Sequence, residues 1–148
     1  MREEFEKAFD DWMVSEAIHI KRETSREIYR VIWGSFARGL PPGVSILQIT
    51  SDMVADYLVT GASKLTAGEY GENAKSSKVR AEILTIRYQA RVASLIERIM
   101  DRHAKVTEAE VEGDSAVRAL MRRTPALANA LKRDTREEPA LDLLTDQE

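Results

Sequence analysis

The chain has 148 residues, the size of one domain and enough to bury a core without disulfides or metals as staples. With 22 basic and 25 acidic residues its net charge is −3, and 43% apolar against 32% charged residues marks a folded, charge-rich protein. The absence of Cys excludes a disulfide scaffold, a cysteine zinc site and a thiol nucleophile. The only two histidines, His19 and His103, argue against a His-rich metal centre. No apolar run approaches the ~20 residues that span a bilayer. The opening MREEFEKAFDDW has no signal-peptide core, so the expected compartment is the cytoplasm.

The apolar spacing is helical along most of the chain. Phe5, Phe9, Trp12 and Met13 recur on one face and predict a helix from Glu3 to about Ile20. Thr24 or Ser25 can cap a second helix running to about Gly39, with Ile28, Tyr29, Ile32, Trp33 and Phe36 inward. Leu-Pro-Pro-Gly, Leu40 to Gly43, stops it. Val44 to Ile49 reads as a short extended stretch. Thr50-Ser51-Asp52 then offers an N-cap to a third helix reaching about Val59, with Met53, Val54, Tyr57 and Leu58 inward. Thr60 to Ser77 carries three glycines and reads as a loop. A long helix follows, from about Ser77 to His103, on the stripe Leu84, Tyr88, Val92, Leu95 and Ile99. Beyond it lie an acidic turn, Glu108 to Asp114, a weaker helix from about Asp114 to Arg123, and a short amphipathic piece after Thr124-Pro125. The ending RDTREEPALDLLTDQE has the composition of an interdomain linker. The expected architecture is all-α, a bundle of four main helices without strands.

The small net charge conceals an uneven distribution. Residues 1–18 hold 2 basic and 6 acidic groups, net −4; residues 19–105 hold 14 and 9, net +5; residues 106–148 hold 6 and 10, net −4. On a helical wheel at about 100° per residue, Arg80, Arg87, Arg91 and Arg98 lie within about 40° of one another, beside the apolar stripe of the long helix. Arg22, Arg26 and Arg30 recur every fourth residue on the second helix, and Lys64, Lys75 and Lys78 add charge in and after the loop. Arginine ribbons beside a packed seam suit a polyanion, because guanidinium pairs bidentately with phosphate and reads guanine in a major groove. The plainer reading of each ribbon is a solvated face with snorkelling side chains.

Other candidates have structural explanations. The aromatic residues sit at core spacing. His19 and His103 read as surface or helix-end residues. Asp10-Asp11 and Glu3-Glu4 are explained by the preference of a helix N-terminus for acids. No Gly-rich phosphate loop, G-x-S-x-G elbow or H-E-x-x-H occurs, and nothing groups a nucleophile, a base and an oxyanion site. No catalytic residue, metal ligand or cofactor is expected.

The order of elements resembles a known family. EAIHIKRETSREIYRVIWGSFARGL, through Ser25, Tyr29 and Phe36, resembles the opening of the core-binding domain of tyrosine recombinases, the phage-integrase family. LQITSDMVADYLV, through Ile49, Thr50, Asp52, Tyr57 and Leu58, is similar to that domain's third helix, and ARVASLIERIM, Ala90 to Met100, to its fourth. The stretch Thr124-Pro125-Ala126, Lys132-Arg133, Pro139 and Leu144 to Glu148 resembles the linker into the catalytic domain. Thr124 replaces the usual Asn, and residues 106–123 are longer than the usual connection. The resemblance implies a SAM-like, four-helix orthogonal bundle over residues 1–105, followed by an extra helix and linker over 106–148. It implies one arm of a clamp on double-stranded recombination-site DNA, shared with other recombinase protomers and without a membrane. The catalytic domain with its tyrosine nucleophile is expected beyond Glu148, so this chain binds DNA without cutting it. The expected DNA-binding residues are Arg22, Ser25, Arg26 and Arg30 from the second helix. Lys75, Lys78, Arg80, Arg87 and Arg91 join them from the loop and fourth helix. Two alternatives stand beside this reading: a helical protein-interaction module and a stand-alone DNA-binding accessory protein.

Overall fold

The computed structural model describes residues 2–15, 23–62, 78–110 and 113–133, with the backbone alone at 23–24, 61–62 and 78–85. The described residues are all helical or irregular, with no strand among them. Helix α1 spans Glu3–Ser15 and α2 spans Glu23–Gly39. A 3₁₀ turn, Ile46–Gln48, precedes α3, Ser51–Tyr57, which runs into a wide π turn at Leu58–Ala62. The long helix α4 is Lys78–Val106, α5 is Ala116–Arg123, and a last helix, α6, covers 125–133.

Helix α1 places Glu3, Glu4 and Glu6 in its first turn, where the unpaired N–H groups favour negative charge. Its other face buries Phe5, Ala8, Phe9 and Trp12. Opposite stand Trp33 and Phe36 of α2. The Phe5 and Trp33 rings are 5.6 Å apart, Trp33 and Phe36 5.7 Å, and Phe36 and Tyr57 5.3 Å. Each spacing lies in the range where tilted aromatic pairs attract beyond their buried area. Trp33 donates its buried indole N–H to the Phe5 carbonyl at 2.8 Å, so the largest side chain of α2 is satisfied by the backbone of α1. Glu4 ties the same helix to the 3₁₀ turn by accepting the Ile46 N–H at 2.9 Å.

The expected extended stretch after Gly43 is a helical turn instead. Gly43 takes the left-handed conformation at φ 83°, and the Ser45 N–H donates to the Gln48 side chain at 3.0 Å. Those local bonds close a turn that places Ile46 in the core. Thr50 caps α3 as expected, its hydroxyl accepting the Met53 N–H at 3.3 Å. Ser25 is not a cap. It is the third residue of α2 and is buried. Ile28 also departs from its expected inward position and is 47% exposed. The core arc of α2 is set by Ile32, Trp33 and Phe36, and Ile28 lies beyond its edge.

The C-terminal segment contributes to the same core. Ser115 caps α5 by accepting the Arg118 N–H at 3.1 Å, and Val117, Leu120, Leu127 and Ala130 are buried with the side chains of α1 to α4. The short amphipathic piece expected after Thr124-Pro125 is a helix over 125–133, and its apolar face is packed. The acidic turn ahead of α5 is exposed at Glu108 and Glu110, and its sharp bends use positive φ at Glu108 and Gly113. His103 lies at the end of α4, as expected, but buried at 6% exposure. No helix among the described residues is long and apolar enough to cross a membrane.

Candidate nucleic-acid interface

The side chains of α2 divide into three strips. The middle strip is core. One flank carries Arg26 and Arg30, both exposed, one turn apart. The other flank carries the exposed Ile28 and Val31. Helix α4 repeats the first pattern: Arg91 is exposed and Arg87 half-buried beside the buried Ala90, Val92 and Leu95. The arginine stripes read from the sequence therefore border the seam on both helices.

Both stripes run up against α1. The Arg30 guanidinium lies 5.0 Å from the centroid of the Phe9 ring, 3.1 Å from an Asp10 carboxylate oxygen and 4.0 Å from one of Glu6. Arg98, two turns beyond Arg91, lies 6.0 Å from the Trp12 ring centroid and donates its Nε–H to the Ser94 carbonyl at 3.4 Å. Such placement over aromatic faces is a cation–π geometry. Phe9 and Trp12 are buried on α1 while Glu6 and Asp10 are exposed on it. One helix thus offers an aromatic bed to arginines from two others and an acidic edge to Arg30.

Of the other expected contact residues, Ser25 is 6% exposed, which leaves little of it for a ligand. Arg22 and Lys75 fall outside the described residues, and Lys78 and Arg80 are placed only as backbone in the first turn of α4.

A basic region that the block charge count concealed lies further on. Residues 113–133 hold five basic groups, Arg118, Arg122, Arg123, Lys132 and Arg133, and one acid, Asp114. The acids that gave the segment its negative total lie on either side. The three arginines of α5 pair with acids. Arg118 reaches Glu97 at 2.9 Å and Asp101 at 3.4 Å, Arg123 reaches Asp52 at 2.6 Å, and Arg122 pairs with Asp114. Arg118 and Arg123 join α5 to α4 and α3.

An open groove of about 740 Å³ lies between the C-terminal half of α2 and α3, lined in part by Phe36, Leu40, Pro41, Met53, Asp56 and Val59. Tyr57 closes its floor, donating its hydroxyl to the Ile32 carbonyl at 3.4 Å. Burial pushes the Tyr57 hydroxyl above its usual pKa of 10.0, opposed by a hydrogen bond with Ser35 and the charge of Arg38. No group of three or more potential metal ligands occurs among the described residues.

The chain matches no protein-family model, no curated protein and no solved structure.

Proposed function

We propose that this chain binds double-stranded DNA as a core-binding domain of the tyrosine-recombinase kind, with the first four helices as its orthogonal four-helix bundle. The observation that carries the reading is that two helices each carry an arginine pair, Arg26 and Arg30 on α2 and Arg87 and Arg91 on α4. Each pair is one turn apart, borders the packed seam, and is at least partly open to solvent. The sequence adds Lys78 and Arg80, in the first turn of α4, and Arg22 and Lys75, which lie outside the described residues. Of the residues through which the sequence resembles the family, Tyr29, Phe36, Ile49, Tyr57 and Leu58 line or fill the core, and that supports the reading.

On this reading most contacts are to phosphates. They fix the position of the domain on the duplex, and one or two arginines reach base edges. The domain grips DNA for other protomers and a catalytic domain and makes no covalent step itself. The test is the affinity of the protein for a short labelled duplex across a salt series. Engagement of about five phosphates gives a slope of log K against log salt near −4.5. Arg87→Glu with Arg91→Glu weakens binding by at least tenfold. An unchanged affinity in that double variant removes α4 from the interface, and a salt-independent affinity removes the electrostatic mechanism.

A second reading rests on a different observation. The exposed Ile28 and Val31, with Val59 at 67% exposure in the wall of the groove, are what a helical protein-interaction module uses. Such a module passes through a heparin column at moderate salt, whereas a DNA-binding domain is retained. A stand-alone DNA-binding accessory protein shares the arginine surface and behaves as the first reading on that column.

A further inference from the structure

We infer that α1 carries a built-in anionic competitor for the DNA face. The carboxylates of Glu6 and Asp10 hold the Arg30 guanidinium, so phosphate reaches it only by displacing them. This inference rests on the DNA-binding reading above and concerns the regulation of that site.

The Arg30 guanidinium has two anionic neighbours and an aromatic face, Asp10 at 3.1 Å, Glu6 at 4.0 Å and Phe9 at 5.0 Å. A guanidinium offers a fork of N–H donors that fits carboxylate and phosphate alike. The two anions therefore compete for one donor set. The contact is half open to solvent, with side-chain exposure of 49% for Arg30, 61% for Asp10 and 53% for Glu6. Exposed pairs of this kind are weak and exchange readily. The acids are displaceable, unlike a buried pair.

They are also tethered. Phe5, Phe9 and Trp12, on the same helix, are at most 1% exposed, and the Trp33 indole N–H bonds the Phe5 carbonyl at 2.8 Å. The carboxylates cannot diffuse from the arginine, and a tethered competitor acts at a high effective concentration. A second consequence concerns salt. An arginine already neutralised by carboxylates contributes less to counterion release when it meets a phosphate. The wild-type salt slope is accordingly shallower than the number of arginines on the face implies.

Four proteins and one control separate this mechanism from a general charge effect. The four are wild type, Glu6→Gln with Asp10→Asn, Arg30→Met, and the triple variant. The control is Glu108→Gln with Glu110→Gln, which removes the same charge from exposed residues of the turn after α4. Duplex affinity is read by fluorescence anisotropy across salt, with thermal melts to verify folding. The expected result is binding tightened by about three- to tenfold in E6Q/D10N, the size of two weak exposed pairs, and a slope steeper by about 0.9 for the released phosphate contact. Both changes disappear when Arg30 is also Met, and the control gains less than twofold. An equal gain in the control, or an equal gain with Arg30→Met in the background, overturns the competitor and leaves a non-specific field. No gain in E6Q/D10N, from a wild type that binds DNA and loses it in R87E/R91E, overturns the competitor alone. If neither wild type nor E6Q/D10N binds the duplex at any salt, the DNA-binding reading fails and the competitor falls with it.

Discussion

The two ends of this molecule are attached to its centre by different physics. At the N-terminal end α1 meets α2 through interlocked aromatic rings, Phe5, Trp33 and Phe36 in one run, Phe9, Trp12 and Tyr29 in another. Polar contacts there are secondary: the Trp33 indole on the Phe5 carbonyl satisfies a buried donor, and the Arg30 pairs with Asp10 and Glu6 lie at the exposed edge. At the C-terminal end α5 and α6 bring only aliphatic side chains to the core, Val117, Leu120, Leu127 and Ala130. Around them, Arg118 joins the half-buried Glu97 and Asp101 of α4, and Arg123 joins the exposed Asp52 of α3. Aromatic burial is large, short-ranged and indifferent to salt. Exposed ion pairs are weak and screened over about 10 Å at 0.1 M ionic strength. The first end is therefore expected to be the stable nucleus and the second the part that opens first.

The sharpest test removes one side chain from each end. Trp33→Ala leaves a large void and the Phe5 carbonyl without its donor, and is expected to destabilise the protein by about 3–5 kcal/mol in denaturant melts. Leu120→Ala is expected at the lower end of the ~2–5 kcal/mol range for such truncations, because α5 can shift to close the gap. In hydrogen exchange that loss is confined to residues 113–133 if the comparison holds. A larger effect from Leu120→Ala than from Trp33→Ala reverses it.

The ion pairs come next in size. Arg118→Met with Arg123→Met is expected to cost under about 1 kcal/mol at low salt and nothing measurable at 1 M. A salt-insensitive loss means that the arginine stems, rather than their charges, hold α5 in place.

The smallest effect concerns Tyr57. Burial raises its pKa above 10.0, so the folded protein retains the hydroxyl proton at a pH where the unfolded chain has lost it. Stability is unaffected below pH 10 and falls as pH climbs from there through the folded value. Tyr57→Phe is expected to flatten that decline in pH-dependent melts, at the cost of the bond to Ile32.

The helices were legible because their apolar residues keep a 3.6-residue period and their ends carry strong signals, Thr50 before α3 and Pro41-Pro42-Gly43 after α2. Three features were not. Val44 to Ile49 has the composition of a strand, and only the Gly43 conformation and the Ser45–Gln48 bond make it a turn. Ile28 belongs to a continuous apolar pattern, and only the direction from which α1 and α3 approach α2 leaves it outside. The amphipathic piece after Thr124-Pro125 is expected from the sequence, but not its place: the resemblance gives the stretch to a linker, whereas Leu127 and Ala130 join the core. At the candidate interface, the arginine stripes followed from spacing on single helices. Their meeting with Glu6, Phe9, Asp10 and Trp12 depends on how separate helices pack, which a helical wheel does not contain.

Both tryptophans stand at the same end of the molecule, Trp12 on α1 and Trp33 on α2, each at most 1% exposed. Intrinsic fluorescence therefore reports the aromatic end and is silent about α5 and α6. A thermal melt followed by emission will show one late transition even when the C-terminal helices have already come away. Backbone circular dichroism, which weighs all helices alike, will begin to fall earlier, and the interval between the two curves measures how independently the ends unfold.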